Sequence, residues 1–443
     1  MPIHRWSIPT GDFVLRNVRA PACLIDVPTL PARSDGLCDC DVVIIDGRIA
    51  EIGRPGSDVG DRACIDGDHG IVLPRLVDLH THLDKGHIWP RKPNPDGTHW
   101  GARTSVMADR EASWNAADVY ARMDFAIRCA YAHGTAAIRT HIDSLGKQAA
   151  ISWPVFSEMR EKWKGKVDLQ AVALFPIDYA VDQPDAFRAL VELVARHRGV
   201  MGGMTFLGTL PDEKSKTALT ALFEAAAANG LDLDFHVDES DAVEARSLSL
   251  IADTISKLRF KGKVVAGHCC SLALAPEHEI SETIDRVSQS GLTVVSLPMC
   301  NMYLMGRTAN LTPRWRGVTL VQELAAAGVP VAVASDNTRD PFYAYGDLDL
   351  IEVYRESIRI LQLDHGSANW PSLVARTPAE VMGLSHGVIK TGASADLMLL
   401  RARTFNELNA RPQNDRAVLI AGRVIDTVPP DYRELDELLG VTP

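Results

Sequence analysis

The stretch Ile71-Val-Leu-Pro-Arg-Leu-Val-Asp-Leu-His80-Thr-His82-Leu-Asp-Lys85 decides the fold of this chain. Its apolar and partly β-branched run is typical of a buried strand. The run ends at two histidines spaced i, i+2, and in an extended chain such side chains point to the same face. Two imidazoles at one strand end can share a metal ion, so His80 and His82 are candidate ligands. Two of 14 histidines can fall at this spacing by chance, so the rest of the chain must decide whether the pair is a metal site.

Length and charge narrow the class of protein. A chain of 443 residues suits about three domains, or one barrel of roughly 250 residues with additions. The net charge of -11 argues against nucleic acid or an anionic membrane as the main partner. The sequence contains no apolar run of about 18 residues and no apolar signal-peptide core, which favours a cytoplasmic enzyme. The scattered cysteines lack a Cys-x-x-Cys pair, which favours reduced thiols.

Both ends of the chain show short alternating strands. Cys40 to Gly53 reads as two strands around an Asp46-Gly47 turn, a pattern typical of a hairpin. Near the other end, residues 395–400 and 416–426 repeat the strand-Gly-strand pattern. We therefore predict one small sheet domain built from both termini.

The middle of the chain repeats a unit of helix, glycine and apolar strand. One example is the helical spacing from Val119 to Tyr131, followed by Gly134 and then by an apolar strand that ends at Asp143. Such alternation indicates a parallel sheet with crossover helices, and over about 310 residues a closed eight-stranded barrel is the economical solution. An open doubly wound sheet is the alternative, although no Gly-x-Gly-x-x-Gly turn follows an early strand.

Polar side chains follow the predicted strands at their carboxyl ends, where barrels carry their chemistry. Imidazoles and carboxylates at one rim form a ligand set suited to Zn(II) or Fe(II), with a position left open for water. The residues delivered there are His80, His82, His141, Asp143, His236, Glu239, His268, Asp336 and Asn337.

In these motifs the chain resembles the amidohydrolase superfamily, and within it the cytosine deaminase-like group. The matching segments are His80-Thr-His82-Leu-Asp, Arg139-Thr-His141-Ile-Asp143, His236-Val-Asp-Glu239, Gly267-His268, Asn301-Met-Tyr-Leu-Met-Gly306-Arg307, and Asp336 with Asp340-Pro341. The resemblance implies an α/β fold, namely a (β/α)8 TIM barrel over residues 71–384 with a small β-sandwich domain from residues 1–70 plus 385–443.

The resemblance also implies one divalent metal ion, zinc or iron. Its ligands would be His80, His82, His236 and Asp336, and the catalytic residues would be Glu239, His268 and Asp336. Superfamily members with two metal ions carry a lysine on the fourth strand, and this chain has none there. We interpret Lys85 as a solvated charge or a charge at the pocket rim.

The implied reaction is hydrolytic deamination of a cyclic amidine. A divalent metal activates water at neutral pH. Glu239 would protonate a ring nitrogen and later carry a proton to the departing amine. Hydrolysis of a ring amide or of an N-alkyl substituent would use the same site, and a non-catalytic metal-binding homologue is a third class. The partner is a small heterocycle, and the oligomeric state, including a homo-oligomer, stays open.

Departures from the group pattern bear on the substrate. Cytosine deaminases carry a glutamine after Phe-Pro that reads the pyrimidine edge, whereas this chain has Ile177, or Asp178 if the register shifts by one residue. The residue after the metal aspartate is Asn337, and an aromatic position is Phe342. An enzyme that lacks the side-chain amide that pairs with the pyrimidine edge loses much of its preference for cytosine. We therefore expect a pterin, a modified pyrimidine or a triazine to be favoured over cytosine, with Ile177, Asn337 and Phe342 contacting the substrate.

Overall fold

The computed structural model describes residues 6–57, 60–206, 211–366, 369–425 and 427–441. The chain divides into two compact units. The first contains residues 1–78, 128–137 and 349–429, and the second contains residues 79–127, 138–348 and 430–443. No helix in the described ranges is both long enough and apolar enough to cross a membrane.

Strands occur throughout the described chain. They are β1 (Phe13–Pro21), β2 (Leu37–Ile45), β3 (Arg48–Gly53), β4 (Ala63–Asp66), β5 (Val72–Pro74), β6 (Leu76–Thr81), β7 (Thr135–Asp143), β8 (Asp168–Leu174), β9 (Met201–Met204), β10 (Leu233–Val237), β11 (Val264–His268), β12 (Thr293–Ser296), β13 (Val331–Val333), β14 (Leu397–Leu399), β15 (Ala417–Ile420) and β16 (Arg423–Val424).

Helices occupy most of the intervals between the middle strands. They are α1 (His99–Ser113), α2 (Ala116–His133), α3 (Gly146–Trp163), α4 (Tyr179–Asp182), α5 (Pro184–Arg196), α6 (Glu213–Asn229), α7 (Ser247–Leu258), α8 (Glu277–Ser290), α9 (Pro298–Leu304), α10 (Val321–Ala326), α11 (Leu350–Ile360), α12 (Arg376–Met382), α13 (Phe405–Ala410) and α14 (Asp436–Leu439). Short 3-10 helices cover Ala22–Leu24, Cys270–Leu274, Trp370–Val374 and Tyr432–Leu435.

The first unit contains two four-stranded sheets. One has the order β3-β2-β1-β4, and its β2-β3 hairpin turns at Asp46-Gly47 as predicted. The other has the order β16-β15-β14-β5, so β5 near the start of the chain pairs antiparallel with β14 near its end. Apolar side chains of both sheets, among them Phe13, Val42 and Leu397, belong to one buried cluster. The two ends of the chain therefore share a core, which confirms that small sheets form from both termini.

The second unit carries the sheets that position the polar side chains. The order β13-β12-β11-β10-β9 forms a five-stranded parallel sheet, and β6-β7-β8 form a three-stranded one. Isolated parallel bridges pair Val172 of β8 with Val200 just before β9, and pair Thr81, the last residue of β6, with Asp336 after β13. Every residue of β7, β10 and β11 is buried, as expected for parallel strands covered on both faces.

Strand β9 approaches its neighbours unusually closely at two glycines. A Cβ atom on Gly202 would lie 2.2 Å from the carbonyl oxygen of Asp234 on β10. The next residue, Gly203, has a φ of 144°, which L-residues with side chains rarely adopt. The sequence places glycine here because the backbone leaves no room for a side chain.

Candidate active site

Five buried imidazoles meet where the strands of the second unit end. The ring centroid of His80 lies 3.9 Å from that of His141 and 4.6 Å from that of His236. The His236 centroid lies 5.1 Å from that of His82 and 4.9 Å from that of His268. The structure thus brings together all the histidines that the strand-end argument selected.

Asp336 completes this cluster from the far edge of the five-stranded sheet. Its Oδ1 atom lies 3.3 Å from His82 Nε2 and 3.8 Å from His80 Nε2. Its backbone N–H donates to the carbonyl oxygen of His80 at 2.9 Å, which fixes the distance between the two strand ends. Asp336 and His268 have φ values of 62° and 68°, and such left-handed residues concentrate at functional sites.

The unpaired polar atoms of this cluster fit a metal ion. His82 Nε2 and His236 Nε2 are 3.1 Å apart, so two ring nitrogens face each other inside the protein. Neither carboxylate oxygen of Asp336 and neither ring nitrogen of His80 has a hydrogen-bond partner within the described ranges. Orphaned buried polar atoms are costly, and a cation held between them would satisfy one nitrogen of each ring and the carboxylate of Asp336.

The protonation states of these groups agree with that fit. Burial first, and neighbouring imidazoles and cations second, lower the pKa values of His80, His82 and His236 well below the ordinary value. They are therefore neutral at pH 7, the state in which imidazole binds metals. Burial, and then the charge of Glu239, raise the pKa of Asp336, so a nearby cation is needed to hold its charge.

A second group of ligand atoms lies beside the first, but its charge is already balanced. His80, His141 and Asp234 also offer atoms within 4.8 Å of one another. Asp234 Oδ2, however, accepts from Arg139 Nη1 at 2.9 Å, and both side chains are fully buried. Asp336, with no such cationic partner within the described ranges, is the better carboxylate ligand.

Glu239 lies beside the cluster and is bound to three neighbours. The Nδ2 group of Asn301 donates to Glu239 Oε1 at 3.1 Å and to His268 Nδ1 at 3.0 Å. His268 Nδ1 also lies 3.4 Å from Glu239 Oε1. His99 Nε2 lies 3.5 Å from Glu239 Oε2. Burial raises the pKa of Glu239, but the adjacent His268 and His99 outweigh it and leave this pKa below its ordinary value, so Glu239 is ionised.

An open cavity leads to Glu239 and the histidine cluster. Its volume is about 910 Å³, including the solvent at its mouth. Its polar wall includes Glu239, Asn337 and Lys85, and Phe342 also faces it. The wall also includes the charged residues Arg103, Arg110 and Asp143. Its apolar part includes Val106, Met107, Leu174, Pro176, Met204 and Phe206. A flat, partly polar molecule with one reactive edge suits this wall.

Two of the three predicted substrate contacts reach the cavity. Asn337 and Phe342 line it, and both are held by Asp340, which accepts from Asn337 Nδ2 at 2.7 Å and from the Phe342 backbone N–H at 2.8 Å. Ile177 is buried outside the described lining and lies against Gly203. The predicted contact between Ile177 and a substrate edge has no support in this geometry.

Sequence reasoning missed several polar side chains around the cavity. His99 comes from α1, an added helix that strand-end reasoning does not cover. Asn301 lies within a quoted motif, yet spacing alone does not show that it joins Glu239 to His268. The interpretation of Lys85 as a solvated or rim charge is wrong. Only 5% of the residue is exposed, and it lines the cavity.

Imidazoles and a carboxylate gathered at strand ends, beside a cavity that holds an ionised glutamate, define the class of metal-dependent hydrolases. Comparison with known proteins gives the particular family. Residues 156–426 match the amidohydrolase family. The chain is 53% identical over 430 residues to the pterin deaminase of Rhizobium rhizogenes (strain K84), covering 97% of both chains. The chain belongs to the amidohydrolase family.

Solved structures agree with this assignment. The 5-methylcytosine deaminase from Klebsiella pneumoniae liganded with 5-fluorocytosine matches with a TM-score of 0.79 at 24% identity, covering 94% of this chain and 98% of that one. The N-isopropylammelide isopropylaminohydrolase from Burkholderia multivorans matches with a TM-score of 0.71 at 27% identity, with the same coverage. The predicted membership of the superfamily is confirmed.

Proposed function

We propose that this protein is a metal-dependent hydrolytic deaminase whose substrate is a pterin. The observation that carries the proposal is the ionised Glu239, held by Asn301 at the cavity wall next to the histidine cluster. The 53% identity with a pterin deaminase over nearly the whole chain supports this substrate class.

We infer that the eight middle strands form one closed (β/α)8 barrel. Support comes from the isolated bridges that join β8 to β9 and the end of β6 to Asp336. We further propose that residues 71–384 form this barrel, except for β5, which pairs with β14, and that residues 1–70 plus 385–443 form a β-sandwich. The shared apolar core of the two terminal sheets supports the second part.

We propose His80, His82, His236 and Asp336 as the ligands of one divalent ion, Zn(II) or Fe(II). Imidazole nitrogens with one carboxylate suit either metal. When bound, such an ion makes water a nucleophile at neutral pH.

The chain's own residues move the protons in this proposal. Asp336 accepts a proton from the attacking water, and the Nε2–H of His268 donates a hydrogen bond to the same oxygen. Glu239 receives this proton and delivers it to the ring nitrogen beside the attacked carbon; it then takes up the second proton of the former water and transfers it to the departing amine. The C–N bond to the amino group breaks, and the products are a lactam and ammonia.

The cavity wall favours a bicyclic substrate over cytosine. Its broad apolar side gives a flat pteridine more contact area than a single pyrimidine ring. A second candidate is hydrolysis of an N-alkyl substituent, because the 27% identical Burkholderia structure is named for that reaction on N-isopropylammelide. Ammonia release from pterin, measured against amine release from N-isopropylammelide, separates the two reactions.

The test is the Glu239→Gln variant assayed for ammonia release from pterin. We expect kcat to fall by about 10²- to 10⁴-fold, because the amide keeps the shape of the side chain but cannot carry the proton. Metal content should stay at the wild-type level, since Glu239 is not a proposed ligand. The exposed Glu277→Gln on α8 is the matched control and should leave kcat unchanged. Wild-type turnover in Glu239→Gln would remove the proposed role.

A further inference from the structure

Lys85 is a buried cation whose purpose the proposed deamination does not explain. It follows the ligand His82 by three residues, lines the cavity and is 5% exposed. Its Nζ lies 5.1 Å from the ring centroid of Phe342, and no carboxylate comes within 4.0 Å of it in the described ranges. An ammonium on the wall of an open cavity, with no carboxylate in contact, can donate to a ligand that supplies an acceptor.

The backbone on both sides of Lys85 is held in place by the buried side chain of Arg122. The Nη1 group of Arg122 donates to the carbonyl oxygen of Asp84 at 2.6 Å and to that of Gly86 at 3.0 Å. Arg122 is itself fully buried, and Asp118 accepts from it at 2.6 and 2.9 Å. Lys85 therefore extends into the cavity from a fixed backbone, which is how binding groups are preorganised.

Another cation of the cavity wall is already paired, which distinguishes it from Lys85. Arg110 donates to Asp143 at 3.0 Å. Lys85, in contrast, has no such partner among the described residues and lines the same cavity as His82 and Glu239. A ligand atom that accepts a hydrogen bond from Lys85 would therefore lie close to the carbon that water attacks.

We propose that Lys85 donates a hydrogen bond to the ring carbonyl oxygen of a 2-amino-4-oxo heterocycle. This inference rests on the proposed deamination of pterins and names the part of the substrate that is recognised. The carbonyl carbon is joined to the attacked amidine carbon through one protonated ring nitrogen. Negative charge that develops on the other amidine nitrogen is shared with the carbonyl oxygen by conjugation through the ring. An ammonium at this oxygen therefore contributes both to substrate binding and to stabilisation of the transition state.

The test compares two substrates in two proteins. Pterin carries the 4-oxo group, whereas 2-aminopteridine lacks it. In the Lys85→Met variant, which keeps the length of the side chain but not its charge, kcat/KM for pterin should fall about 10- to 100-fold. For 2-aminopteridine, kcat/KM should stay within about threefold of wild type, because no hydrogen bond to oxygen is lost. Lys147→Met, at an exposed site on α3, is the matched control and should match wild type on both substrates.

Binding of lumazine, the 2,4-dioxo product, gives a readout without chemistry. Lys85→Met should bind lumazine about 10-fold more weakly, with unchanged metal content, and Lys85→Arg should recover part of this affinity. Equal losses on both substrates, or unchanged lumazine binding, would overturn the inference. If the wild type releases no ammonia from pterin yet Lys85→Met still weakens lumazine binding, the proposed function fails while the role of Lys85 stands.

Discussion

The side chain of Asn301 links the two residues that carry the proposed proton transfers. Its single amide group donates to both Glu239 and His268, and the residue is fully buried. The distance between the glutamate and the imidazole is therefore set by a third residue on α9. The sequence showed Asn301 only as part of a motif, because one-dimensional spacing does not reveal which side chains meet across a cavity.

A second single residue, His87, makes the stability of the folded chain depend on pH. It is buried, and within the described ranges neither of its ring nitrogens has a hydrogen-bond partner. Burial lowers its pKa from 6.5 to about 3. Between these pH values the unfolded chain binds a proton that the folded chain does not, so stability is lost as the pH falls from 6.5 towards 3.

We expect His87→Asn to reduce this acid sensitivity, since asparagine does not titrate and tolerates the φ of 65° at this position. The slope of stability against pH between pH 4 and 6.5 should fall by up to about 1.4 kcal/mol per pH unit. Thermal unfolding across that range measures it, with the exposed His278→Asn on α8 as control. An unchanged slope would show that His87 is not the group that titrates.

At the scale of elements, the strand ends were predictable and the added helix was not. Parallel strands place their carboxyl ends together, so a search of those ends selected five histidines and Asp336 as possible ligands. The resemblance to the amidohydrolase superfamily then singled out His80, His82, His236 and Asp336. In the structure His80, His82 and Asp336 offer ligand atoms within 4.8 Å of one another, and so do His80, His236 and His268. The choice of four ligands stays a prediction. Helix α1 follows no such rule, because nothing in its periodicity tells which cavity its polar face lines. For this reason the sequence did not predict His99 as a residue of the site.

The segment after Asp336 is fastened by the 3-10 helix Tyr432–Leu435. The hydroxyl of Tyr432 donates to Asp347 Oδ1 at 2.8 Å, and the guanidinium of Arg339 lies 4.0 Å from the Tyr432 ring centroid. Both partners lie in the segment that continues from the proposed ligand Asp336. The 3-10 helix thus restrains a segment that also carries Asn337 and Phe342.

We therefore expect Tyr432→Ala to loosen residues 337–348. Loss of the hydrogen bond and of the cation–π contact, about 1 to 2 kcal/mol together, should speed amide hydrogen exchange there roughly 5- to 30-fold. Tyr432→Phe, which keeps the ring, should show a smaller increase. Arg433→Ala, an exposed neighbour, is the control. Exchange rates in Tyr432→Ala that match wild type would contradict this role.

For the whole molecule, the alternation of helices and apolar strands was sufficient to predict an α/β fold with small sheets from both termini. It was not sufficient to show where Ile177 points, because a shift of one residue turns a side chain from the cavity to the opposite face. Lys85 shows a related limit: composition does not tell whether a lysine is solvated or buried.

Metal removal tests the whole arrangement at once. The proposed ligands lie on β6, on β10 and beyond β13, so a bound ion joins distant parts of the second unit. Chelation should abolish ammonia release and lower Tm, because an ion at about a thousand times its Kd stabilises the folded state by about 4 kcal/mol. Zn(II) or Fe(II) should restore both, and Tm of His82→Ala should respond less. A fully active, metal-free protein would refute the metal site.

The two glycines of β9 limit how this site can change. Any side chain at Gly202 would collide with the carbonyl oxygen of Asp234, at 2.2 Å from its first carbon. A lysine able to bridge two metal ions therefore cannot be acquired there by one substitution, since the backbone of two adjacent strands would have to separate first. Variants of this chain can thus change the residues of the cavity wall, whereas main-chain geometry keeps position 202 a glycine.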